Sequence, residues 1–458
     1  MLKSMRDYQD AYYDLKQKTR MNPKPKALVY NLVENAQLVL FDQEMIKQFY
    51  LQQDKYRKQP SILYLLQPLM SNGVLLSEGF VWKRHRKLTS SAFNFDYLKE
   101  IFPKIVEIAE ELLERLKSQI GYSIHFLNAV QRITGEVVAR LFFGEKFIDR
   151  RFKGFLVADY LATLLARCMI EQSSLLSFLF SSRIVFLKLI PRHKQLFDDI
   201  RDFREFILEI IKKRFSEVSE SEKSDQMSLI DLFYKQGQQD LKEGFTMEEI
   251  VDEFITFFVA GMDTTGHLIT MMSYYYLKMS PNCQEKLLKE ADETFKDPSK
   301  VTLEGINKMD YMSGMIKESL RMATPTPTLF MRKAIKDHKL GDLMVKRGTI
   351  VNVGIIANNF DPDLHEDPDV FKVERWIEEG SRTRKSIGEF PYAFIPFSAG
   401  VRNCLGQHLA ISEAKVIFGL FLKKFKYKIN ERYELSMVKR FLYEPEDPLY
   451  YVLSKREE

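Results

Sequence analysis

Apolar residues recur at helical spacing over most of this chain, in amphipathic stretches separated by short polar breaks. The spacing predicts helices over residues 4–19, 43–54, 80–88, 97–119, 128–143, 153–170, 195–216, 227–235, 246–279, 281–295 and 309–322, with another from just after Cys404 to about Lys424. Strand signals are short. They fall at 27–32 with 37–41, at 328–332, 344–345 and 349–353, and near the end at 427–429 and 448–453. Gly348, after Lys346-Arg347, reads as a hairpin turn. The polar stretches 216–225 and 236–244 read as surface loops. No repeat and no long Gly/Ser linker divides the chain, and the strands come from both ends of it. The expected fold class is therefore mainly α with a small β region, interwoven as a single large domain over 27–458. An N-terminal helix without a membrane anchor precedes it within 1–26.

Composition narrows the class. With 45% hydrophobic and 29% charged residues the 458-residue chain is globular, not disordered. Its 35 Phe and 21 Tyr suit a large core around a flat apolar ligand. A net charge of +5, without a basic tract interleaved with aromatics, excludes nucleic acid as a partner. Cys168, Cys283 and Cys404 are an odd number and far apart, so neither a disulfide framework nor a zinc site is indicated, and a reducing compartment is expected. The seven histidines show no H-E-x-x-H spacing. Residues 1–20 are charged and amphipathic, with no run apolar enough for a signal peptide or an anchor as the sequence stands. The apolar stretch 175–190 is too short for an easy span and carries Arg183 and Lys188, so it reads as interfacial or core.

Two segments carry the chemistry. The first is Phe397-Ser398-Ala399-Gly400-Val401-Arg402-Asn403-Cys404-Leu405-Gly406, with an apolar helical pattern following from Leu409. Gly400 and Gly406 allow a tight backbone around the sulfur. The following helix points free N–H groups and its positive end at Cys404, and Arg402 adds a charge, all of which favour a thiolate. Such a thiolate is a proper axial ligand for haem iron. The second is Ala260-Gly261-Met262-Asp263-Thr264-Thr265, in the middle of a helix of about 34 residues that spans roughly 50 Å. Residues 254–262 are apolar on every face apart from Thr256, so this helix is buried. An acid and two alcohols there are costly unless used or well satisfied. Gly261 costs about 1 kcal/mol relative to Ala, which a close approach of something to the backbone would justify.

The pattern F-x-x-G-x-R-x-C-x-G resembles the haem-binding loop of the cytochrome P-450 family, with every fixed position matched. The resemblance implies that Cys404 is the proximal haem ligand, that Arg402 contacts a haem propionate and that Phe397 packs near the sulfur. Ala260–Thr265 is similar to the family's A-G-x-D-T-T motif. By that likeness Asp263 and Thr264 guide protons to the oxygen, and Gly261 makes room for it. Glu318-Ser319-Leu320-Arg321 is the E-x-x-R pattern, and Arg375 in Val373-Glu374-Arg375-Trp376 is its third partner, with Val373 where the family has Pro. That network is implied to be structural. Trp82 and Arg86 share a helix face and match W-x-x-x-R, whose members contact the propionates, as Arg332 is also implied to do. Lys83, Arg84 and Lys87 are then expected to face solvent, where an electron donor docks. Thr324-Pro325-Thr326-Pro327 departs from the commoner aromatic-Pro-Pro, and Asn358 or Asn359 stands in place of a frequent His. Pocket-lining residues carried over are the 62–74 loop, Phe257, Ala260, Thr265, Leu329 and Phe441.

The implied function is that of a haem-thiolate monooxygenase using haem b, which inserts one oxygen atom from O2 into an apolar organic substrate of the sterol, fatty-acid or xenobiotic class. The implied electron donor is an NADPH-dependent flavoprotein reductase or an equivalent protein, and a monomer is expected. The motif style implies the cytoplasmic surface of the endoplasmic reticulum, with 175–190 touching lipid. A cytosolic location is the alternative. Two other functions are a haem-thiolate isomerase or dehydratase, whose members often alter the acid–alcohol pair kept here, and a haem sensor without turnover.

Overall fold

The helical spacing of the sequence is realised with ends shifted by a few residues in the computed structural model, which describes residues 12–32, 35–59, 66–90, 93–144, 149–172, 190–220, 228–233, 244–327 and 331–456. The helices are α1 (Tyr13–Lys18), α2 (Gln43–Leu51), α3 (Gly79–Ser90), α4 (Phe95–Leu116), α5 (Phe126–Phe143), α6 (Val157–Gln172) and α7 (Pro191–Glu220). They continue with α8 (Met247–Tyr276), α9 (Pro281–Thr294), α10 (Asp310–Met322), α11 (Arg382–Glu389) and α12 (Gln407–Lys424). Local chemistry sets their starts. Asp42 caps α2 by accepting from the Met45 N–H at 2.9 Å. Thr246 and Glu249 form a reciprocal capping box at α8: the Glu249 N–H donates to Thr246 Oγ1 (3.2 Å) and the Thr246 N–H to Glu249 Oε2 (2.9 Å).

Three expectations need correction. Residues 151–156 do not open a helix. They form a hairpin, Arg151–Phe152 against Phe155–Leu156, whose two central residues Lys153 and Gly154 have φ of 49° and 85°. Residues 216–220 are not loop, because α7 continues through Glu220, and 221–225 fall outside the described residues. Gly348 does sit in a turn, closed by the Thr349 N–H on Lys346 O at 3.1 Å, but the strands it joins pair with different partners, so there is no hairpin. The 175–189 stretch, the tip of the 62–74 loop at 62–65 and the start of the 328–332 strand fall outside the described residues, as does Leu329.

The chain forms two compact units that alternate along the sequence. The first comprises residues 1–59, 109–129 and 267–458. It holds a five-stranded sheet in which Ala27–Leu32 pairs antiparallel with Asn35–Leu40, which pairs parallel with Ile350–Val353. That strand lies beside Arg332–Ala334, and Tyr56–Lys58 forms the far edge. A second sheet orders Phe425–Ile429, Tyr450–Lys455 and Ser123–His125. Behind it the rings of Phe126, Phe421, Tyr427 and Tyr451 pack at 4.9–5.1 Å between several of their centroids. α12 is buried from Ser412 to Leu422. The second unit comprises 60–108 and 130–266, and is built on α3, α6, α7 and most of α8.

Inside the first unit the three residues of the E-x-x-R pattern do converge. Glu318 and Arg321 on α10 are both fully buried and meet in two parallel bonds, Nε to Oε2 at 2.9 Å and Nη2 to Oε1 at 2.8 Å. Arg375 Nε reaches Glu318 Oε1 at 2.9 Å, and the Trp376 indole N–H and the Lys372 backbone N–H complete the carboxylate at 2.8 and 2.9 Å. Burial alone would raise the Glu318 pKa. The two guanidiniums outweigh it and hold the carboxyl below its ordinary value. The remaining guanidinium N–H groups donate to backbone carbonyls of Asn359, Pro368, Val370 and Glu366, so the cluster fastens the 359–376 segment to α10. Asn359 adds an amide bond to Arg321 O at 2.9 Å, which identifies it rather than Asn358 as the residue built into this corner.

Removing the carboxylate leaves two buried guanidiniums without a counter-charge, a loss of about 3–5 kcal/mol. Glu318→Ala is therefore expected to accumulate as poorly folded protein with little haem, read by the denaturant midpoint and the haem-to-protein absorbance ratio. A variant whose midpoint stays at the wild-type value would reduce the cluster to an ordinary ion pair.

Candidate functional site

The loop before α12 is shaped as its glycine spacing requires. Ser398 and Gly400 both have left-handed φ, 60° and 70°, and a Cβ at Gly400 would lie 3.1 Å from Gln53 Nε2 and 3.3 Å from Tyr50 O. The chain then makes a 3-10 turn over Gly400–Arg402 and folds back, with the Cys404 N–H donating to Phe397 O at 2.9 Å. Cys404 is exposed, three residues before the uncapped start of α12. The other two cysteines are buried, and burial pushes each of their thiols up to about 12. One accessible thiol at a helix N-terminus is thus set apart from two inert ones.

Phe397 and Arg402 are both half-buried in this loop. Arg332, at the start of its strand in the same unit, lies close enough to Tyr50 for its charge to act on the phenol. Burial raises the Tyr50 pKa, while a hydrogen bond with Ser398 and the Arg332 charge pull it down. Tyr50 also stacks on Tyr392 at 5.5 Å. So Arg332, Tyr50 and the Cys404 loop are gathered in one place. The sequence analysis did not single out Tyr50, because nothing in its own helical pattern marks it.

In the second unit α8 carries Gly261, Asp263 and Thr264. Thr264 Oγ1 donates to Ala260 O at 2.7 Å, and the Gln131 amide on α5 donates to the Asp263 carboxylate. The close approach expected at Gly261 is that of Val138 on α5: a Cβ there would stand 2.6 Å from Val138 Cγ2. The space beside Gly261 is thus taken by a neighbouring helix, and its missing Cβ serves packing. Thr134 Oγ1 donates to Met262 O at 2.9 Å, so α5 clasps both sides of the motif. Phe257 is buried between Phe142 (5.0 Å) and Phe93 (5.2 Å), and Thr265 is buried, whereas Ala260 and Phe441 are half-buried.

α3 carries Trp82 and Arg86, both half-buried, with Lys83 and Lys87 exposed as expected. Arg84 corrects the expectation. It does not face solvent but forms an ion pair with Glu249 and donates to Gly244 O at 2.8 Å, because α8 presents a carboxylate on that side. Sequence reasoning also missed its neighbour His85, which is fully buried with Nδ1 2.6 Å from Glu253 Oε1. Two consecutive acids, Asp252 and Glu253, directly before the apolar run from Phe254 were the available signal.

Among the described residues no cluster of His, Cys, Asp and Glu could hold a metal ion by itself. Iron that arrives within its own macrocycle and needs one thiolate from the protein fits Cys404. Comparison with known proteins identifies the family. The fold is that of the crystal structure of the cytochrome P450DA heme domain, with a TM-score of 0.82 over 97% of this chain and 93% of that one at 20% identity. In sequence the chain is similar to cytochrome P450 72A68 of Medicago truncatula, 28% identical over 411 residues covering 86% of this chain and 75% of the other. It is also similar to cytochrome P450 4V2 of Mus musculus, 28% over 453 residues (96% and 82%), and to a cytokinin hydroxylase of Arabidopsis thaliana, 30% over 376 residues (80% and 68%). A family model described as Cytochrome P450 matches residues 16–451, from α1 into the last strand. The acid–alcohol helix, the buried E-x-x-R cluster and the thiol loop all fall, in that order, within the matched span, and the chain belongs to the cytochrome P450 family, a haem-dependent oxidoreductase.

Proposed function

We propose that the protein hydroxylates an apolar organic molecule with O2 and two electrons from a flavoprotein reductase, holding haem through Cys404. The observation that carries this reading is the pair Asp263 and Thr264, two half-exposed polar side chains in consecutive positions of a helix otherwise buried from Ile250 to Val259. Haem-thiolate isomerases and dehydratases often alter this pair, and this chain keeps it. Haem bound through a thiolate supplies an electron-rich iron that favours O–O cleavage.

The chain's own part is binding and proton handling. Cys404 offers the thiolate from a loop whose backbone is already folded back on Phe397. Arg402, Arg332, Trp82 and Arg86 bind the propionates, which places cations and an indole N–H against carboxylates. Thr264 gives its proton to Ala260 O, so its oxygen is presented as an acceptor to whatever donor approaches. Asp263 is fixed by Gln131 and relays protons from solvent. Apolar side chains around Ala260 and Phe441 receive the substrate and exclude water, and a sterol, fatty acid or xenobiotic meets that requirement. One relative is named a cytokinin hydroxylase, which supports hydroxylation of a small organic molecule. Among the described residues no helix is long and apolar enough to cross a membrane. Contact with the endoplasmic reticulum surface, through the 175–190 stretch, belongs to this proposal.

Cys404→Ala is expected to abolish the red-shifted Soret band of the ferrous–CO complex, and a wild-type spectrum of the histidine-ligated kind would refute the reading. Thr264→Ala is expected to retain haem and substrate binding while most NADPH electrons emerge as hydrogen peroxide; an unchanged ratio of product to NADPH would remove α8 from proton delivery. Asp263→Asn should slow turnover by about 10²-fold, the lower end of what a positioned proton-transfer group contributes. Charge reversal at the exposed Lys83 and Lys87 should slow reduction of the iron by the reductase, with the difference from wild type shrinking as salt rises, since screening shortens from ~10 Å at 0.1 M to about 3 Å at 1 M. Equal reduction rates across that salt series would place the donor elsewhere.

A further inference from the structure

Helix α3 is held to α8 by a polar cluster that the haem chemistry does not use. His85 stands between Trp82 and Arg86 in sequence, within one turn of both, and is fully buried. Its Nδ1 lies 2.6 Å from Glu253 Oε1 and its Nε2 3.2 Å from Glu249 Oε1. Glu249 also pairs with Arg84, whose guanidinium stands 3.3 Å from the same Nε2. Glu253 is fully buried, and the oxygen that meets His85 accepts the Val74 backbone N–H at 2.8 Å. One position back, Asp252 accepts the Asn72 N–H at 3.0 Å. Between them Gly73 lies so close to α8 that a Cβ would meet Thr256 Oγ1 at 2.1 Å and Asp252 O at 2.9 Å. The segment leading into α3, and α3 itself, are thus fastened to two adjacent carboxylates of α8.

Nδ1 faces a Glu253 oxygen alone, whereas Nε2 faces both a Glu249 oxygen and the Arg84 guanidinium, so the firm attachment of the ring is the one to Glu253. Burial by itself would lower the His85 pKa. Hydrogen bonds and charges from Glu253 and Glu249 outweigh it and raise the value above the ordinary one. Burial pushes the Glu253 carboxyl up as well, so the contact between Nδ1 and Oε1 holds a proton whichever of the two groups carries it.

We propose that His85 and Glu253 are positioning residues for haem: the pair sets the rotation and depth of α3 on α8, and through α3 the placement of Trp82 and Arg86 against the propionates. A residue held on a helix one turn from a ligand-binding group transmits a small displacement directly, because packed helices shift as rigid bodies and bidentate contacts tolerate little misplacement. The proposal rests on the reading of Trp82 and Arg86 as propionate ligands, and the experiment separates the two.

The measurement is the rate at which ferric haem leaves the holoenzyme for excess apomyoglobin, beside the unfolding midpoint of the same samples. His85→Leu keeps the volume but removes both ring nitrogens, and is expected to speed haem loss by about tenfold, the lower end for disrupting a group that orients a ligand. His85→Asn restores one N–H toward Glu253 and should return the rate close to wild type, although it fills the space less well. Arg86→Ala should speed haem loss alone, and adding His85→Leu to it should add little. If His85→Leu does not yield folded holoenzyme, Glu253→Gln serves in its place with the same expected non-additivity. Haem loss at the wild-type rate, or full additivity with Arg86→Ala, or rescue by volume instead of by the donor, overturns the positioning role. An inert Arg86→Ala would instead sink the propionate reading, and this inference with it.

Discussion

A carboxylate with no access to water is the constraint around which the first unit is arranged. Glu318 takes hydrogen bonds from Arg321, Arg375, Trp376 and the Lys372 backbone, and none of these donors comes from bulk solvent. One negative charge facing two guanidiniums leaves an excess of positive charge in the interior. That excess is spread over backbone carbonyls of the 359–370 segment, which must therefore follow a path that points oxygens inward. The same field acts on His365. Burial first, and then the two guanidiniums, keep its imidazole neutral with a pKa pushed down to about 2. The 360–370 segment is held in shape by these bonds rather than by regular secondary structure, and the Cys404 loop lies further along the same unit.

α8 plays the corresponding part in the second unit, by different means. Its first turns present Glu249, Asp252 and Glu253, which bind α3 and the segment before it. Its middle presents Gly261 and Gly266, against which Val138 and Gln131 of α5 pack at distances that a Cβ would forbid. Asp263 and Thr264 lie between these two close approaches, about three turns beyond the charged anchorage, and their placement follows from both.

How much of this the sequence disclosed depends on the range of the interaction. Helices were legible because a period of 3.6 residues repeats several times in each, and their ends were misjudged only where capping or tight turns decide, as at Lys153-Gly154. Three-residue strands such as Tyr56–Lys58 and Ser123–His125 are too short to show a period at all. The loop around Cys404 and the pairing of Glu318 with Arg321 were readable as fixed local spacings. The contacts of Arg84 and His85 were not, since Glu249 and Glu253 lie some 165 and 168 positions away and nothing local distinguishes a cation on a solvated face from one that meets a buried acid. Gly261 was recognised as a close approach, but which atoms approach it is a property of helix packing.

Glu249 performs two tasks with one carboxylate. One oxygen accepts the Thr246 N–H and closes the capping box, and the other meets Arg84 and His85. Helix ends are the first parts of a helix to fray, and a frayed first turn of α8 would carry that side chain away from both cations. Unwinding there and a weakened hold on α3 are consequently one event, since Arg84 loses its partner while His85 keeps Glu253. In hydrogen-exchange terms, opening of residues 246–249 lowers the protection of α3 without releasing it.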